Sequence, residues 1–520
     1  MTSGIHHVTL ITRKVQANVD FYLGFLGLRL VKRTGGFEDA AQLHLFYGDA
    51  AASPGSLITF LVWEDGSPGR VGHGAPSEVA FAIAPEAIGF WLTRALQFNV
   101  RICGPAQEFG EPVLRLTDPD GAIVKLVGTR NLQGATPWTE GGIAPADAIR
   151  RLRGATILSE KSRETIAFLE GHMGFSVAAE EAGVCRLTSQ AQDVIDVRDA
   201  SGFWTAAPGT GTIDHIALRA ADRAQVESVR DDLMREQQAA ISAHDRKYFY
   251  SLYVREPGGS LIELASDGPG FAVDEPMESL GTSLFLPAHS LAEGDDATML
   301  PQFGLPGEER VIYRDLDFVH RIHTPEKPDG TVLFLLHGTG GNEASLLPFG
   351  RRLLPHATLV GVRGRSNEEG VARFFRRFNN VSFDQADIAA EAEAFSAFVA
   401  DAQLAYGIDP ARTAFLGYSN GANMLGAVML LRPGAVRNAV LLRPMNVVEH
   451  PPATDLTGSK LLLSKGAHDP YGIHADELET QMKTSHADVQ VETVSAGHEI
   501  GPADSDLARD WLNGVFNNPA

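Results

Sequence analysis

Cysteine is scarce in this sequence, since only Cys103 and Cys185 occur among 520 residues. Neither lies in a Cys-x-x-Cys pattern, so we expect neither a disulfide scaffold nor a structural zinc site. The sequence also lacks an apolar run long enough to cross a membrane and any pattern typical of a signal peptide. We therefore expect a cytoplasmic protein that does not contact membranes.

Positive charge is also in short supply. The chain carries 44 Lys and Arg against 65 Asp and Glu, for a net charge of −21 at pH 7, and has no basic block. We therefore expect no binding to nucleic acid or to an anionic membrane surface. The remaining composition is that of a globular protein, with 44% hydrophobic and 21% charged residues. Its length is too great for one ordinary core and predicts at least two domains.

An internal repeat organises the first half of the chain. The segment "FYLGFLGLRL" from Phe21 matches "FLEGHMGFSV" from Phe168, and in both a Gly follows a helix-like stretch and precedes a strand-like one. The segment "LTDPDGAIVKLVG" from Leu116 matches "VREPGGSLIELAS" from Val254. Each combines an acid-Pro-x-Gly turn signal with an alternating strand. A pattern that recurs in this way predicts a fold built from repeated modules.

Each predicted helix of the repeat is preceded by a strand candidate: "HHVTLIT", "SEVAFAIA", "RGATILSE" or "DHIALRA". Strand, helix and then further strands is the order of a βαβββ module, whose short strands curl around a cavity. The first half is therefore predicted to be α+β, with four such modules near residues 4–75, 76–135, 150–205 and 210–275.

Two positions in each module can be compared, one in its first strand and one in its last. Lys125 of the second module aligns with Glu263 of the fourth, because both lie six residues after the turn proline. The first-strand positions of the four modules carry, in order, His7, Glu78, Gly154 or Ala155, and His215.

His7, His215 and Glu263 differ from the residues at the other copies of these positions. Two imidazoles and one carboxylate form the facial triad that suits non-haem Fe(II), and Mn(II) also fits. A single His on a strand is more often a core or surface residue, but an inward carboxylate is rare unless it is paired or binds a metal. The combination at related positions therefore favours a metal site.

Residues 1 to about 300 resemble the vicinal oxygen chelate superfamily of glyoxalases and extradiol dioxygenases, and within it the hydroquinone-type ring-cleaving dioxygenases. The resemblance lies in "GIHHVTLIT", "FYLGFLGLRLVKRTGGFED", "DHIALR" and "DRKYFYSLYVREPGGSLIELASDGPGF". It implies Fe(II) held by His7, His215 and Glu263. The first and fourth modules, which supply these residues, should then pack together, and the other two should be structural.

The same resemblance implies three further catalytic residues: His6, Arg246 and Tyr253. Some members of the family carry a second His before the fourth-module ligand, where this chain has Asp214. His6 raises a geometric problem, because adjacent residues on a regular strand point to opposite faces. A β-bulge at the start of the strand would let His6 and His7 point the same way.

The second half of the sequence follows a different pattern. The stretch "LPAHSLAEGDDATMLPQFGLPGEER" is rich in Pro, Gly and acid, and we place the domain boundary near its end, between domains 1–305 and 306–520. Buried-strand candidates such as "GTVLFLLHG" then alternate with helical stretches such as "QADIAAEAEAFSAFVADAQLAYG". This alternation predicts an α/β domain with a mostly parallel sheet and helices on both faces.

The segment "GYSNG" matches the Gly-x-Ser-x-Gly nucleophile elbow, with a strand candidate before it and a helix candidate after it. Ser419 is its nucleophile, and the acid and the His should follow in that order. Asp469 in "KGAHDPYG" and His498 in "VSAGHEI" fit, and His468 and Asp401 are weaker alternatives.

The segment "LLHGTGGNE" after an early strand is typical of an oxyanion loop, in which the backbone N–H groups of Thr339 and Asn420 would bind the oxyanion. Residues 312 to 520 resemble the phospholipase/carboxylesterase family of α/β-hydrolases on "HGTGGNE", "GYSNG", "HDP" and "GHEI". The resemblance implies acyl transfer through Ser419.

The leading hypothesis is a bifunctional enzyme of aromatic catabolism or quinone detoxification. Its first domain would open a hydroquinone or catechol-like ring with dioxygen, and its second would hydrolyse an ester of the same pathway. One alternative is a glyoxalase-like isomerase or lyase, although Lys125 stands where such an enzyme would place a further acidic ligand. Another is a module that binds an aromatic compound, fused to an active esterase. A homo-oligomer is compatible with the sequence.

Overall fold

The computed structural model describes residues 4–36, 42–132, 136–236, 242–286, 299–308 and 316–517. It divides into two compact units. The first comprises residues 1–292 and 303–310, and the second comprises residues 293–302 and 311–520. The domain boundary between residues 305 and 306 remains a prediction from the sequence.

The first and fourth modules form one nine-stranded sheet. The first module contains β1 (Ile5–Thr12), α1 (Val15–Val19), a π-helix (Asp20–Phe25), β2 (Arg29–Gly35), β3 (Leu43–Gly48) and β4 (Leu57–Val62). The fourth contains β13 (Ile213–Ala220), α4 (Arg223–Arg235), β14 (Ser242–Asp245), β15 (Phe249–Arg255) and β16 (Leu261–Pro269). Short 3₁₀ helices (Phe271–Val273 and Met277–Ser279) and β17 (Leu284–Phe285) follow.

The second and third modules form an eight-stranded sheet. The second module contains β5 (Ala75–Ile83), a 3₁₀ turn (Pro85–Ala87), α2 (Ile88–Gln97), β6 (Ile102–Glu108), β7 (Glu111–Thr117) and β8 (Ile123–Gly128). The third contains β9 (Arg151–Ser159), α3 (Ser162–His172), β10 (Ser176–Glu181), β11 (Val184–Thr188) and β12 (Val194–Asp199). The predicted pattern of four βαβββ modules is confirmed.

Strand order shows how the modules pair. The first sheet runs β14-β15-β16-β13-β1-β4-β3-β2-β17, and the second runs β10-β11-β12-β9-β5-β8-β7-β6. In each sheet the first strands of two modules pair antiparallel at the centre, as β1 with β13 and as β5 with β9. All eight residues of β1 are buried, including its polar residues His6, His7, Thr9 and Thr12. The expected packing of the first module against the fourth is therefore found.

The second unit is an α/β sheet with helices between its strands. Its first elements are β18 (His320–His323), β19 (Val332–Leu336), α5 (Leu347–Leu353), β20 (Thr358–Val362), β21 (Ser366–Glu368), β22 (Val371–Arg373) and α6 (Gln385–Tyr406). After a 3₁₀ turn (Pro410–Arg412) come β23 (Thr413–Tyr418), α7 (Asn420–Leu431), β24 (Asn438–Leu442), β25 (Lys460–Gly466), α8 (Gly472–Thr484), β26 (Asp488–Val494) and α9 (Pro502–Asn517).

The seven-stranded sheet of this unit has the order β18-β20-β19-β23-β24-β25-β26 and is parallel except for β18. Helix α6 is capped at both ends: the Asp384 side chain accepts hydrogen bonds from two N–H groups of the first turn, and Gly407 adopts the left-handed conformation beyond the last turn. The predicted α/β fold is confirmed. Among the described helices, none combines the length and the apolar character needed to span a bilayer.

Candidate metal centre and candidate serine hydrolase site

Three strands at the centre of the first sheet bring the predicted metal ligands together. His7 lies on β1, His215 on β13 and Glu263 on β16, and all three side chains are buried. His215 Nε2 is 2.8 Å from Glu263 Oε2, and His7 Nε2 is 3.2 Å from the same oxygen. One potential ligand atom from each residue lies within 4.8 Å of the other two. The ligand set therefore converges from positions more than 200 residues apart in the sequence.

The nitrogen and oxygen atoms of these three side chains are arranged as they would be around a bound cation. Both carboxylate oxygens of Glu263 and Nε2 of His215 are buried and have no assigned hydrogen-bond partner in the part of the chain that the structure describes. The short N···O distances show that the polar atoms of the three side chains face a common point. Adjacent ligands of an octahedral ion with bonds near 2.1 Å are about 3 Å apart, which matches this spacing. A buried carboxylate without a partner is costly, and a cation would offset that cost.

Beside each ligand histidine, the strand pairing shifts by one residue. His6 is the extra residue of β1, because Ile5 pairs with Leu218 and His7 with Ala217. This is the bulge that the adjacent His6 and His7 required. On β13, the extra residue is the one that precedes His215, Asp214.

The two bulged residues contact the ligand histidines in the same way. His6 Nδ1 is 2.9 Å from His7 Nδ1, and Asp214 Oδ2 is 2.6 Å from His215 Nδ1. Burial and the neighbouring His7 lower the pKa of His6 to about 3, so His6 is neutral and its Nδ1 can accept the His7 proton. In both cases Nδ1–H is held by the preceding residue, which leaves the Nε2 lone pair facing the candidate metal position.

A cavity of about 910 Å³ opens onto these ligands. Arg246 and Tyr253, for which the family resemblance implies catalytic roles, line it together with His7 and His215. The ring of Tyr253 packs edge-on against His215 with centroids 5.6 Å apart, and the Arg246 guanidinium lies 5.3 Å from the Tyr253 ring centroid. Burial raises the pKa of the Tyr253 phenol, so it stays protonated at neutral pH.

His6 does not line this cavity, although the resemblance implied a catalytic role for it. The structure places His6 against His7 and against the ring of Phe249. The cavity wall also includes Asp214 and His44, neither of which was predicted to be catalytic. His44 Nε2 is 3.1 Å from Thr59 Oγ1. A His at an interior position of an alternating strand was the only available signal for His44.

The second sheet repeats the pairing of the first but carries different residues. In the first sheet, Ala217 is paired on one side with His7 and on the other with Glu263. The same pairing in the second sheet is made by Ala80, Gly154 and Lys125. The registers therefore make the following pairs equivalent: His215 and Glu78, His7 and Gly154, Glu263 and Lys125, Tyr253 and Arg115. Even the bulges recur, at Ser77 and Arg153.

Charged side chains fill this equivalent position. Lys125 Nζ lies 3.3 Å from Glu78 Oε2, 3.1 Å from Glu108 Oε2 and 4.0 Å from Asp196 Oδ2. Arg115 Nε is 2.7 Å from Glu78 Oε1. Burial raises the pKa of Glu78, but Arg115 and Lys125 outweigh this effect and lower it, so Glu78 stays ionised. In the second sheet the Lys125 ammonium therefore occupies this position as a cation. In the first sheet the side chains of His7, His215 and Glu263 converge there instead.

In the second unit, Ser419 lies at the sharp turn between β23 and α7. Its φ is +50° and its ψ is −113°, a conformation that few non-glycine residues adopt. The flanking glycines are required by space. A Cβ at Gly417 would lie 2.6 Å from the backbone N of Ala422, and one at Gly421 would lie 2.1 Å from the carbonyl O of Leu336. These contacts explain the Gly-x-Ser-x-Gly pattern.

The structure brings Ser419 together with the two partners that the sequence favours. His498 Nε2 is 2.8 Å from Ser419 Oγ, and His498 Nδ1 is 2.9 Å from Asp469 Oδ2. Asp469 follows β25 and His498 follows β26, in the expected order. A serine whose Oγ–H points to an imidazole that is itself held by a carboxylate has the arrangement of an activated nucleophile.

The two predicted oxyanion donors follow two neighbouring strands, Asn420 next to Ser419 after β23 and Thr339 after β19. Asn420 is the first residue of α7, so its N–H has no acceptor within the helix. Its side-chain Oδ1 accepts a hydrogen bond from the N–H of Phe374 at 2.7 Å, which fixes the residue. Thr339 lies in the loop after β19. The buried His337 shapes that loop, since its Nε2 accepts from the N–H of Gly364 at 3.0 Å.

Comparison with known proteins adds names to these two sites. The model of the glyoxalase/bleomycin resistance protein/dioxygenase superfamily matches residues 4–126. A Bacillus subtilis (strain 168) protein named "Putative ring-cleaving dioxygenase MhqO" is 37% identical over 296 residues, which are 55% of this chain and 91% of that relative. The chain belongs to this superfamily.

Two further findings concern the same half of the chain. The chlorohydroquinone/hydroquinone 1,2-dioxygenase of Sphingobium indicum (strain UT26) is 29% identical over 294 residues, 54% of this chain and 90% of that enzyme. A crystal structure of a "putative dioxygenase" from Bacillus subtilis subsp. subtilis str. 168 is 35% identical, with a TM-score of 0.55. It covers 58% of this chain and 97% of that one.

The second half has a separate relative. The Bacillus subtilis (strain 168) protein named "Putative hydrolase MhqD" is 33% identical over 182 residues, which are 35% of this chain and 91% of that relative. The chain therefore joins, in one polypeptide, a part related to ring-cleaving dioxygenases and a part related to hydrolases.

Proposed function

We propose that residues 1–305 form an Fe(II)-dependent dioxygenase that opens the ring of a hydroquinone or catechol-like compound. The observation that carries this proposal is the convergence of His7, His215 and Glu263, the first two of which line a large cavity. These three residues would hold the ion, which would supply binding of the phenolate and activation of dioxygen, and Mn(II) would suit the same donor set. The name of the Sphingobium relative supports a hydroquinone as the substrate class.

The cavity side chains have distinct tasks in this proposal. Arg246 places positive charge beside the reacting oxygens, where it stabilises negative charge that develops on the bound substrate. The protonated phenol of Tyr253 donates a hydrogen bond to a substrate oxygen and can give up its proton to it. Apolar cavity residues such as Phe46, Trp63 and Phe249 pack against the aromatic ring and exclude water.

His6 acts through His7 in this account. It accepts the Nδ1 proton of His7 and so keeps His7 Nε2 deprotonated and correctly aimed. Asp214 does the same for His215 and, as a carboxylate, also increases the basicity of that imidazole. Asp214 reaches the cavity as well, so it is the one of the two that can influence which ring substituents fit.

We propose that residues 306–520 are a serine carboxylesterase that acts on an ester or related acyl compound of the same pathway. The triad distances carry this proposal. His498 takes the proton of Ser419 as Oγ attacks the ester carbonyl, and Asp469 stabilises the resulting imidazolium. His498 then returns the proton to the leaving alcohol, and water hydrolyses the acyl-enzyme by the reverse sequence. The N–H groups of Thr339 and Asn420 bind the oxyanion.

Oxygen consumption tests the first activity. The protein is loaded anaerobically with Fe(II), mixed with hydroquinone or catechol, and exposed to dioxygen in an oxygen electrode. Uptake of one dioxygen per ring opened is expected, and the Ser419→Ala variant should consume oxygen at the unaltered rate. Bound Fe(II) with no uptake on any of these compounds would overturn the dioxygenase proposal. Turnover of a test compound without oxygen would instead favour an isomerase or lyase.

Hydrolysis of p-nitrophenyl acetate tests the second activity. Ser419→Ala should lower kcat by about 10⁶-fold, because the nucleophile acts as a unit with its His and Asp. The matched control is Glu263→Gln, which alters the other site and should hydrolyse the ester normally. If ester hydrolysis survives in Ser419→Ala, the assignment of the nucleophile is wrong.

A further inference from the structure

Arg443 of the second unit is a fully buried charged side chain that has no part in the mechanism described above. Arg443 follows β24 directly, its side chain is fully buried, and its backbone has a φ of +54°. A non-glycine residue in this conformation costs free energy and persists only where its surroundings fix it. A buried charge is also retained only if its hydrogen bonds are satisfied. Both features raise the question of what this side chain holds in place.

All five N–H donors of the Arg443 guanidinium have acceptors. Two of them form a bidentate pair with Asp504, through Nη1 to Oδ1 at 2.8 Å and Nη2 to Oδ2 at 2.9 Å. The second Nη1 donor reaches Ser464 Oγ at 3.1 Å. The remaining two donate to backbone carbonyls, from Nε to Gly497 O at 2.8 Å and from Nη2 to Glu499 O at 2.9 Å. A planar guanidinium with five donors is the one side chain that can fill this set.

The two carbonyls held by Arg443 belong to the residues on either side of His498. The carbonyl between them, that of His498 itself, accepts a hydrogen bond from the Tyr418 hydroxyl at 3.1 Å. Three consecutive carbonyls of an irregular segment are therefore fixed by side chains. Because β26 ends at Val494 and α9 begins at Pro502, no helix or sheet hydrogen bonds hold His498.

We propose that Arg443 is a positioning residue for the hydrolase, which sets the place of the His498 imidazole through the peptides that flank it. Asp504 neutralises the guanidinium and fixes its plane. Arg443 therefore acts by holding the peptides beside His498 in place, and its positive charge has little direct effect on the imidazole. The 2.8 Å contact from His498 Nε2 to Ser419 Oγ depends on this placement. A misplacement of the order of 1 Å in such a pair costs about 100-fold in rate.

This inference rests on the proposed hydrolase function, and one experiment separates the two. Wild type, Arg443→Met and Arg443→Lys are compared in p-nitrophenyl acetate hydrolysis, at a temperature where circular dichroism shows each to be folded. Arg443→Met should lower kcat by about 100-fold and change KM less than threefold, because ester binding does not use the guanidinium. A role limited to stability would shift the unfolding midpoint and leave kcat of the folded protein intact.

Arg443→Lys decides the matter if Arg443→Met does not fold. An ammonium can still pair with Asp504 but cannot also bridge both carbonyls, so kcat should fall at least tenfold at unchanged KM. The matched control is Arg365→Met, which removes another bidentate Arg–carboxylate pair of the same unit, that with Glu391. It should leave kcat unchanged.

The outcomes are distinct for the two claims. An inactive wild type would overturn the proposed hydrolase function itself. An active wild type together with a folded Arg443→Met or Arg443→Lys whose kcat stays within threefold would overturn the positioning role and leave the hydrolase function standing.

Discussion

In the sheet of modules one and four, Glu263 stands beside two imidazoles, whereas in the sheet of modules two and three Lys125 holds the same register position beside carboxylates. Strand order, pairing register and even the bulges agree between the two centres. The difference shows that the repeated backbone creates an inward-facing position at which side chains from three strands meet. The residues at that position then decide whether it needs an ion or neutralises itself.

Steric space reinforces the difference. A Cβ at Gly154, the counterpart of His7, would lie 2.3 Å from the carbonyl O of Val194. No imidazole can therefore stand there unless the neighbouring strand moves. In the first sheet the register position of Lys125 carries the carboxylate of Glu263, which is fully buried beside His7 and His215. The first centre is thus the candidate ion site, and the second is a network of ion pairs.

Replacing Glu263 should have the largest effect on the difference between the two centres, because it removes the acidic candidate ligand. Glu263→Gln removes the only anionic ligand of the three, and we expect the affinity for Fe(II) to fall by about 10³-fold or more. Ring cleavage should be lost with it. Metal content after dialysis, measured by mass spectrometry, checks the prediction, and a variant that keeps one Fe(II) per chain would contradict it.

Removing the internal cation of the second sheet should have a different consequence. Lys125→Met leaves Glu78 and Glu108 facing each other with Arg115 as their remaining partner, and we expect the free energy of unfolding to drop by about 3 kcal/mol. Denaturant titration of the first unit's transition measures this change. Metal content should remain at one ion per chain, so any loss of iron from this variant would count against a purely structural second centre.

The bulges at Asp214 and Ser77 allow the smallest effect to be tested. The two residues occupy equivalent positions, but only Asp214 contacts a candidate metal ligand. Asp214→Asn weakens the contact to His215 Nδ1 and should lower Fe(II) affinity by about 10- to 100-fold. Its counterpart Ser77 precedes Glu78 and touches no metal ligand, so Ser77→Ala is the matched control and should bind iron normally. Competition with a metal-sensitive dye gives both affinities, and equal values would refute the role of Asp214.

Much of the fold follows from local patterns in the sequence. The turn segments at Leu116 and Val254 and the Gly after each early helix identify the modules, because turns and helix ends depend on a few residues with particular backbone preferences. Strand β17 (Leu284–Phe285) was missed, since two residues carry no alternation that a pattern could detect. The buried strands of the second unit were recognisable because both faces of a parallel sheet are covered.

The sites were predictable only as far as single residues carried a distinctive type. His7, His215 and Glu263 stood out against their repeat counterparts, and Ser419 lay in a motif with a steric cause. The contact from Asp214 to His215 depends on a bulge, which shifts a strand by one residue and leaves no mark in composition. The role of Arg443 could not be predicted from the sequence for a related reason. Its five acceptors come from three separate segments, and two of them are backbone carbonyls, which every residue type has.

The central claim is that one of the two equivalent centres binds an ion and the other does not, and anomalous diffraction at the iron edge tests it most directly. Crystals of Fe(II)-loaded protein should show one anomalous peak per chain, at bonding distance from Nε2 of His7, Nε2 of His215 and the carboxylate of Glu263. A peak among Glu78, Lys125 and Asp196, or no peak beside the two histidines in iron-loaded crystals, would contradict the account.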